Sequence, residues 1–226
     1  IVAIDDSCPT NYLASFTLEL HTSGGPYPYA VTRPFSIPVG LPLPSDPTGP
    51  DLGGYYAYSS DDGLYEQAPV YNWFDIGSLG TLIPRNSNGD FTRTIHLPFT
   101  FAYYDSSYDS VRISSDGWIA FGRGTQASYS NQTLPYDDNV NCMVALFWDD
   151  LFFGSAVGPD RLLYYNDAAN HRFIAQWDRV AHYSDSTARE TFQAILYDPV
   201  YYPTASGKGD IVFQYKDVVE TTSMTV

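Results

Sequence analysis

Two cysteines in 226 residues, Cys8 and Cys142, are too few for a disulfide scaffold. With no C-x-x-C pair and no Cys/His cluster, zinc-ligand and thiol-redox motifs fall away. The two thiols are expected to pack separately rather than bridge, because chain order gives no reason for their Cα atoms to come within about 7 Å. Basic residues are scarce too: 11 Lys and Arg face 26 Asp and Glu, a formal net charge of −15. Such a chain has nothing to replace counterions along a phosphate backbone and no attraction to anionic lipid, so nucleic acid and membrane surfaces are excluded as partners. Apolar runs stop short of the ~20 residues of a membrane-spanning helix. No segment keeps a 3.6-residue apolar period, and only 4 of the acids are Glu against 22 Asp. Glu belongs in helices and Asp in turns, so helices should be minor and the acidity should lie between strands. An initiator Met and a signal peptide are also missing, and the expectation is an internal piece of a longer protein.

Aromatic residues fill the space these absences leave. Twenty Tyr, 13 Phe and 4 Trp, with Val, Ile and Thr, suit pleated, half-buried surfaces, and 44% apolar content suffices for a core. The stretch Ser110–Gly122, S-V-R-I-S-S-D-G-W-I-A-F-G, reads as a hairpin whose register can be inferred. A two-residue Asp116-Gly117 turn sets Ile113 opposite Ala120 and mixes the faces. A three-residue loop, Ser115-Asp116-Gly117, pairs Ile113 with Ile119 and Val111 with Phe121, leaving Arg112, Ser114, Trp118 and Ala120 on the other face. The second register separates the faces and uses Gly117 as the residue of positive φ.

Residues 1–40 read as the last strands of a sandwich, with Phe16, Leu18 and Leu20 on one face of a strand over 13–20 and Pro34 and Pro38 confining a strand over 30–39 to an edge or to bulges. Four prolines and three glycines make 41–54 an inter-domain linker. From residue 55 strand candidates follow at short intervals: 55–58, 70–76, 91–97, 99–104, the hairpin, 143–148, 162–165, 172–180, 191–197 and 211–216. Phe173, Ala175 and Trp177 alternate, as do Phe192, Ala194 and Leu196, and Ile211, Phe213 and Tyr215. With no βαβ rhythm, the fold class is all-β: an antiparallel β-sandwich or jelly-roll-like module over 55–226. Interruption at its ends should leave sheet edges that strands of the same polypeptide or a neighbouring copy complete.

Several stretches carry a resemblance: P-T-G-P-D-L-G-G-Y-Y-A-Y-S-S-D-D (47–62), A-P-V-Y-N-W-F-D-I (68–76), L-P-F-T-F-A-Y-Y (97–104), V-R-I-S-S-D-G-W-I-A-F-G (111–122), N-C-M-V-A-L-F-W-D-D-L (141–151), E-T-F-Q-A-I-L-Y-D-P (190–199) and G-D-I-V-F-Q-Y-K (209–216). This series resembles the non-catalytic β-sandwich module of large secreted bacterial proteins, often those with gingipain-like cysteine peptidase or subtilisin-like peptidase domains. Phe35–Gly40, F-S-I-P-V-G, is similar to the end of the immunoglobulin-like domain that precedes such modules, and Ser7-Cys8-Pro9 to the start of that domain's late strands. The resemblance implies a secreted or cell-surface setting and a structural or adhesive module. Peptidase activity does not carry over, since no peptidase domain is present.

Residues with chemical potential have competing readings. Asp149 and Asp150 end the apolar run 143–147, and Asp137, Asp138 and Asn139 lie a loop away. Hard oxygen ligands from two loops suit Ca²⁺, although no contiguous D-x-D-x-D-G loop is present and Asp is also an ordinary turn residue. His96, His171 and His182, with Ser184, Asp185 and Glu190, raise a hydrolase reading against one of histidines near strand ends; no G-x-S-x-G accompanies them. Cys142, at the start of a buried strand, reads as inert packing. Tyr103, Tyr104, Tyr201 and Tyr202 either stack on sugar rings or rim the core. Asn131-Gln132-Thr133 is a glycosylation sequon that means little in a bacterial protein. The expected function is therefore a non-catalytic structural or adhesive module partnering neighbouring domains or copies, a polysaccharide or a surface protein. A carbohydrate-binding accessory module and a hydrolase are the other two readings.

Overall fold

A computed structural model describes residues 12–22, 30–39, 46–85, 89–122, 124, 127–134, 142–154 and 159–219. The chain divides into two units, residues 1–49 with 56–69, and residues 50–55 with 70–226. Residues 41–45 of the expected linker lie outside the described residues, and 50–54 belong to the second unit.

In the first unit β1 (Tyr12–His21) and β2 (Ala30–Val39) pair antiparallel along their whole length. Among the described residues each has one neighbour, so Pro34 costs no ladder bond on its free side. Ala14, Phe16, Leu18 and Leu20 lie across from Ile37, Phe35, Arg33 and Val31, and the Phe16 and Phe35 rings stack at 5.4 Å. Leu18, Leu20, Phe35 and Ile37 remain exposed. The expected strand at 55–58 is absent; an isolated bridge joins Thr48 to Ala57 instead.

The second unit is the sandwich. Its strands are β3 (Thr81–Leu82), β4 (Thr92–Tyr103), β5 (Ser106–Ser114), β6 (Trp118–Phe121), β7 (Met143–Ala145), β8 (Leu151–Phe152), β9 (Arg161–Asp167), β10 (Arg172–His182), β11 (Arg189–Tyr197) and β12 (Ile211–Asp217). One sheet has the order β12-β11-β10-β9-β3, with β8 also on β10; the other runs β4-β5-β6-β7. All pairings are antiparallel. The two candidate strands around Pro98 are one strand, β4, whose ladder to β5 breaks between His96 and Phe101 because proline has no N–H to donate.

The core lies between the sheets. Phe101, Val111, Ile113, Ile119 and Phe121 meet Phe173, Trp177, Phe192 and Leu196, all essentially inaccessible. The alternation predicted for β10 and β11 is the inward-facing set. Trp177 Nε1 donates to Ser114 O across the core at 2.9 Å, which satisfies both groups.

The outer faces are covered as well. Residues 70–76, predicted as a strand, form an irregular segment over β10–β12. Its backbone bonds to side chains rather than to a neighbouring strand. Gln176, Gln193 and Gln214 lie in one row across β10, β11 and β12. Asn72 N donates to Gln214 Oε1 (2.8 Å), Ile76 N donates to Gln176 Oε1 (3.2 Å), and Gln193 Nε2 donates to Phe74 O (2.7 Å). These amides take the place of a ladder, and Ile76 closes a second apolar cluster with Leu163, Ile174 and Ile195. On the other sheet, Trp118 and Ala120 pack with Trp148, and Ser128 O accepts bonds from both indoles at 2.9 and 2.8 Å. Arg112 is buried on this face over the Trp118 ring, and its guanidinium nitrogens have no hydrogen-bond partner among the described residues.

Candidate functional site

The β5–β6 hairpin takes the three-residue register: Ile113 pairs with Ile119 and Val111 with Phe121, and Gly117 has φ 73°. Its loop is pinned from both sides. Ser115 N donates to Phe91 O (2.9 Å) and Ser115 Oγ accepts from Phe91 N (3.0 Å). Phe147 N donates to Gly117 O at 2.9 Å and Asp149 N to Asp116 O at 3.4 Å. These bonds gather three segments: the residues ahead of β4, the hairpin loop, and the connection from β7 to β8.

Each segment contributes one acid. Asp90, Asp116 and Asp150 offer oxygens that all lie within 4.8 Å of one another. Asp116 is fully buried, Asp90 and Asp150 half-buried. Burial first, and then the charge of Asp90, pushes the Asp116 carboxyl up to about 7, against the hydroxyl bonds from Ser115 and Ser114. Burial also raises Asp90 and Asp150, and Asp150 is raised further by Asp90 and Asp149.

Of the acids singled out in the sequence, Asp150 joins this cluster and Asp149 turns away. Asp149 Oδ2 lies 2.8 Å from His182 Nδ1, while His182 Nε2 lies 2.9 Å from Glu190 Oε1. His182 and Glu190 are buried, and Glu190 also accepts the Val219 N–H at 3.0 Å. Asp137, Asp138 and Asn139 lie outside the described residues. Asp90 and Asp116 escaped the sequence reading: Asp116 carries the composition of a turn, and nothing local marks Asp90 except its place just ahead of a strand.

Of the residues of the hydrolase reading, His182 and Glu190 are brought together. Both ring nitrogens of His182 face acids. Ser184 is exposed, Asp185 Oδ1 accepts bonds from the Thr187 N–H and hydroxyl, and His96 is exposed. His171, at φ 48°, stacks on Tyr201 with ring centroids 3.3 Å apart. Of the four tyrosines proposed as a platform, the Tyr103 and Tyr104 rings meet edge to face at 4.7 Å. Tyr103 is buried and donates to Met143 O (3.2 Å); Tyr104 is exposed and donates to Asp51 Oδ2 (2.7 Å). Tyr201 and Tyr202 are exposed on the loop after β11. Cys142 is a free, half-buried thiol 3.4 Å from Tyr108 Oη, and Cys8 lies outside the described residues. An open pocket of about 620 Å³ beside β4 and β5 is lined by Thr94, Thr100, Ser107, Tyr108, Asp109 and Ser110, with no His or Cys among them.

Two antiparallel sheets enclosing one core, with acids gathered on the connecting loops, define an all-β sandwich module. A family model described as NIDO related matches residues 64–226, well over half of the chain, and the chain belongs to the NIDO-related family, an extracellular-type module. No curated protein and no solved structure matches it. Among the described residues no helix is long and apolar enough to cross a membrane.

Proposed function

We propose that this chain is a non-catalytic structural and adhesive module of a large secreted or cell-surface bacterial protein, one whose other domains include a gingipain-like or subtilisin-like peptidase. The observation that carries this reading is how the sandwich spends its buried polar groups. Gln176, Gln193 and Gln214 hold an irregular segment, Trp177 ties the two sheets together, and His182 is held between two acids. Polar groups used this way secure the chain and leave loops and edges for partners. The partners are neighbouring domains or copies of the same protein; β12 has β11 as its one strand neighbour among the described residues.

A second reading is a carbohydrate-binding accessory module, favoured by Val200, Tyr201 and Tyr202 standing exposed on one loop with His171 backing the Tyr201 ring. The full chain is tested against bacterial envelope fractions, soluble polysaccharides, and protein and glycoside substrates. The proposal expects retention on envelope protein with no turnover. Saccharide binding that Tyr201→Ala abolishes favours the accessory module instead. Turnover lost in His182→Gln overturns both.

A further inference from the structure

Three carboxylates drawn from distant segments to within 4.8 Å repel one another unless something positive sits among them. Asp116 shows what is missing. Its Oδ2 accepts the hydroxyls of Ser114 (3.2 Å) and Ser115 (3.0 Å). Its Oδ1 has no solvent-accessible surface and no hydrogen-bond partner among the described residues, in a residue that is 0% exposed. A buried carboxylate oxygen without a partner is costly, and two half-buried acids beside it can donate no proton while ionised. The backbone cannot collapse to relieve this, because the hairpin loop is bonded to Phe91 on one side and to Phe147 and Asp149 on the other. A Cβ at Gly117 would stand 1.8 Å from Phe147 O, so the two segments are already in closest approach.

The donors are all anionic oxygens, the set preferred by a hard cation. Calcium takes oxygens at about 2.4 Å, so two ligands on opposite sides of one ion lie about 4.8 Å apart, whereas magnesium, at about 2.1 Å, holds them closer. The oxygens of Asp90, Asp116 and Asp150 all lie within that calcium span of one another. The half-exposed rim formed by Asp90 and Asp150 admits the waters that a six- to eight-fold shell needs. We propose that Asp90, Asp116 and Asp150 together bind one Ca²⁺ ion, each giving it a carboxylate oxygen. The ion then clamps the entry to β4, the β5–β6 hairpin loop and the β7–β8 connection. Asp149 takes no part, since it is held by His182. This inference is independent of whether the module adheres, binds sugar or catalyses.

The test uses the full chain, stripped with chelator and titrated with CaCl₂ or MgCl₂ by calorimetry and thermal melting. Binding of one Ca²⁺ per chain is expected, with Tm rising by about 5–10 °C at calcium 100-fold above Kd and a smaller response to Mg²⁺. Asp116→Asn and the rim variant Asp150→Asn, which leaves the core untouched, should each weaken calcium binding at least tenfold while keeping the far-ultraviolet circular dichroism of the parent. Absence of calcium binding by the unmodified chain overturns the proposal, as does binding unchanged in Asp150→Asn. An equal response to magnesium overturns the choice of ion.

Discussion

Replacing Gly117 by valine should break the sandwich at its most constrained turn. The residue sits at φ 73°, where a β-branched side chain is strained by about 1–3 kcal/mol. The added Cβ would lie 1.8 Å from Phe147 O and 2.6 Å from Phe147 C, so backbone must move, at a further ~1–3 kcal/mol. That movement separates Phe147 N from Gly117 O, a bond of about 1 kcal/mol. Together these come to about 3–7 kcal/mol, a large share of the ~5–15 kcal/mol that holds a folded protein. Gly207 provides the control: its φ is 72° and nothing lies within 4 Å of a Cβ built there. Gly207→Ala should therefore cost only backbone strain, about 1 kcal/mol. Urea unfolding followed by tryptophan fluorescence reads both, and Gly117→Val should lower Tm by on the order of 10 °C or more. A loss below about 1 kcal/mol for Gly117→Val, or equal losses for Gly117→Ala and Gly207→Ala, would refute the claim that contact with Phe147 locks the loop.

Asp167 should carry acid-side stability. Burial pushes its carboxyl up, but hydrogen bonds from Arg172 and Asn170 outweigh this and hold it below the usual carboxylate value. Its contribution is therefore complete above the unfolded value of about 3.9 and disappears as pH falls through the lower folded value. Asp167→Asn should flatten the stability profile below about pH 4, and an unaltered slope there would count against the assignment. The cysteines should both be free: mass spectrometry of unreduced, unfolded chain alkylated with iodoacetamide should show label on Cys8 and Cys142, and a linked peptide pair would contradict this.

Where neighbouring residues decide the outcome, the sequence alone determined it. The hairpin register follows from the period-2 separation of Val111, Ile113, Ile119 and Phe121 and from a glycine at the one position needing positive φ. The inward faces of β10 and β11 follow from the same alternation, and the edge position of β2 from Pro34. Tertiary structure alone decided what covers the outer faces. Val70–Ile76 has strand composition, yet its hydrogen bonds go to three glutamines that only the pairing of β10, β11 and β12 lines up. Likewise the apolar run from Met143 leaves the sheet after Ala145, because Leu146 O accepts from Tyr215 Oη and Phe147 N donates to the hairpin loop. The acidic cluster belongs to the same class. Adjacent Asp149 and Asp150 look like partners in sequence, but the backbone turns one to His182 and the other to Asp90 and Asp116. Which carboxylates meet depends on where three connections end once two sheets have closed on their core, and no local pattern carries that information.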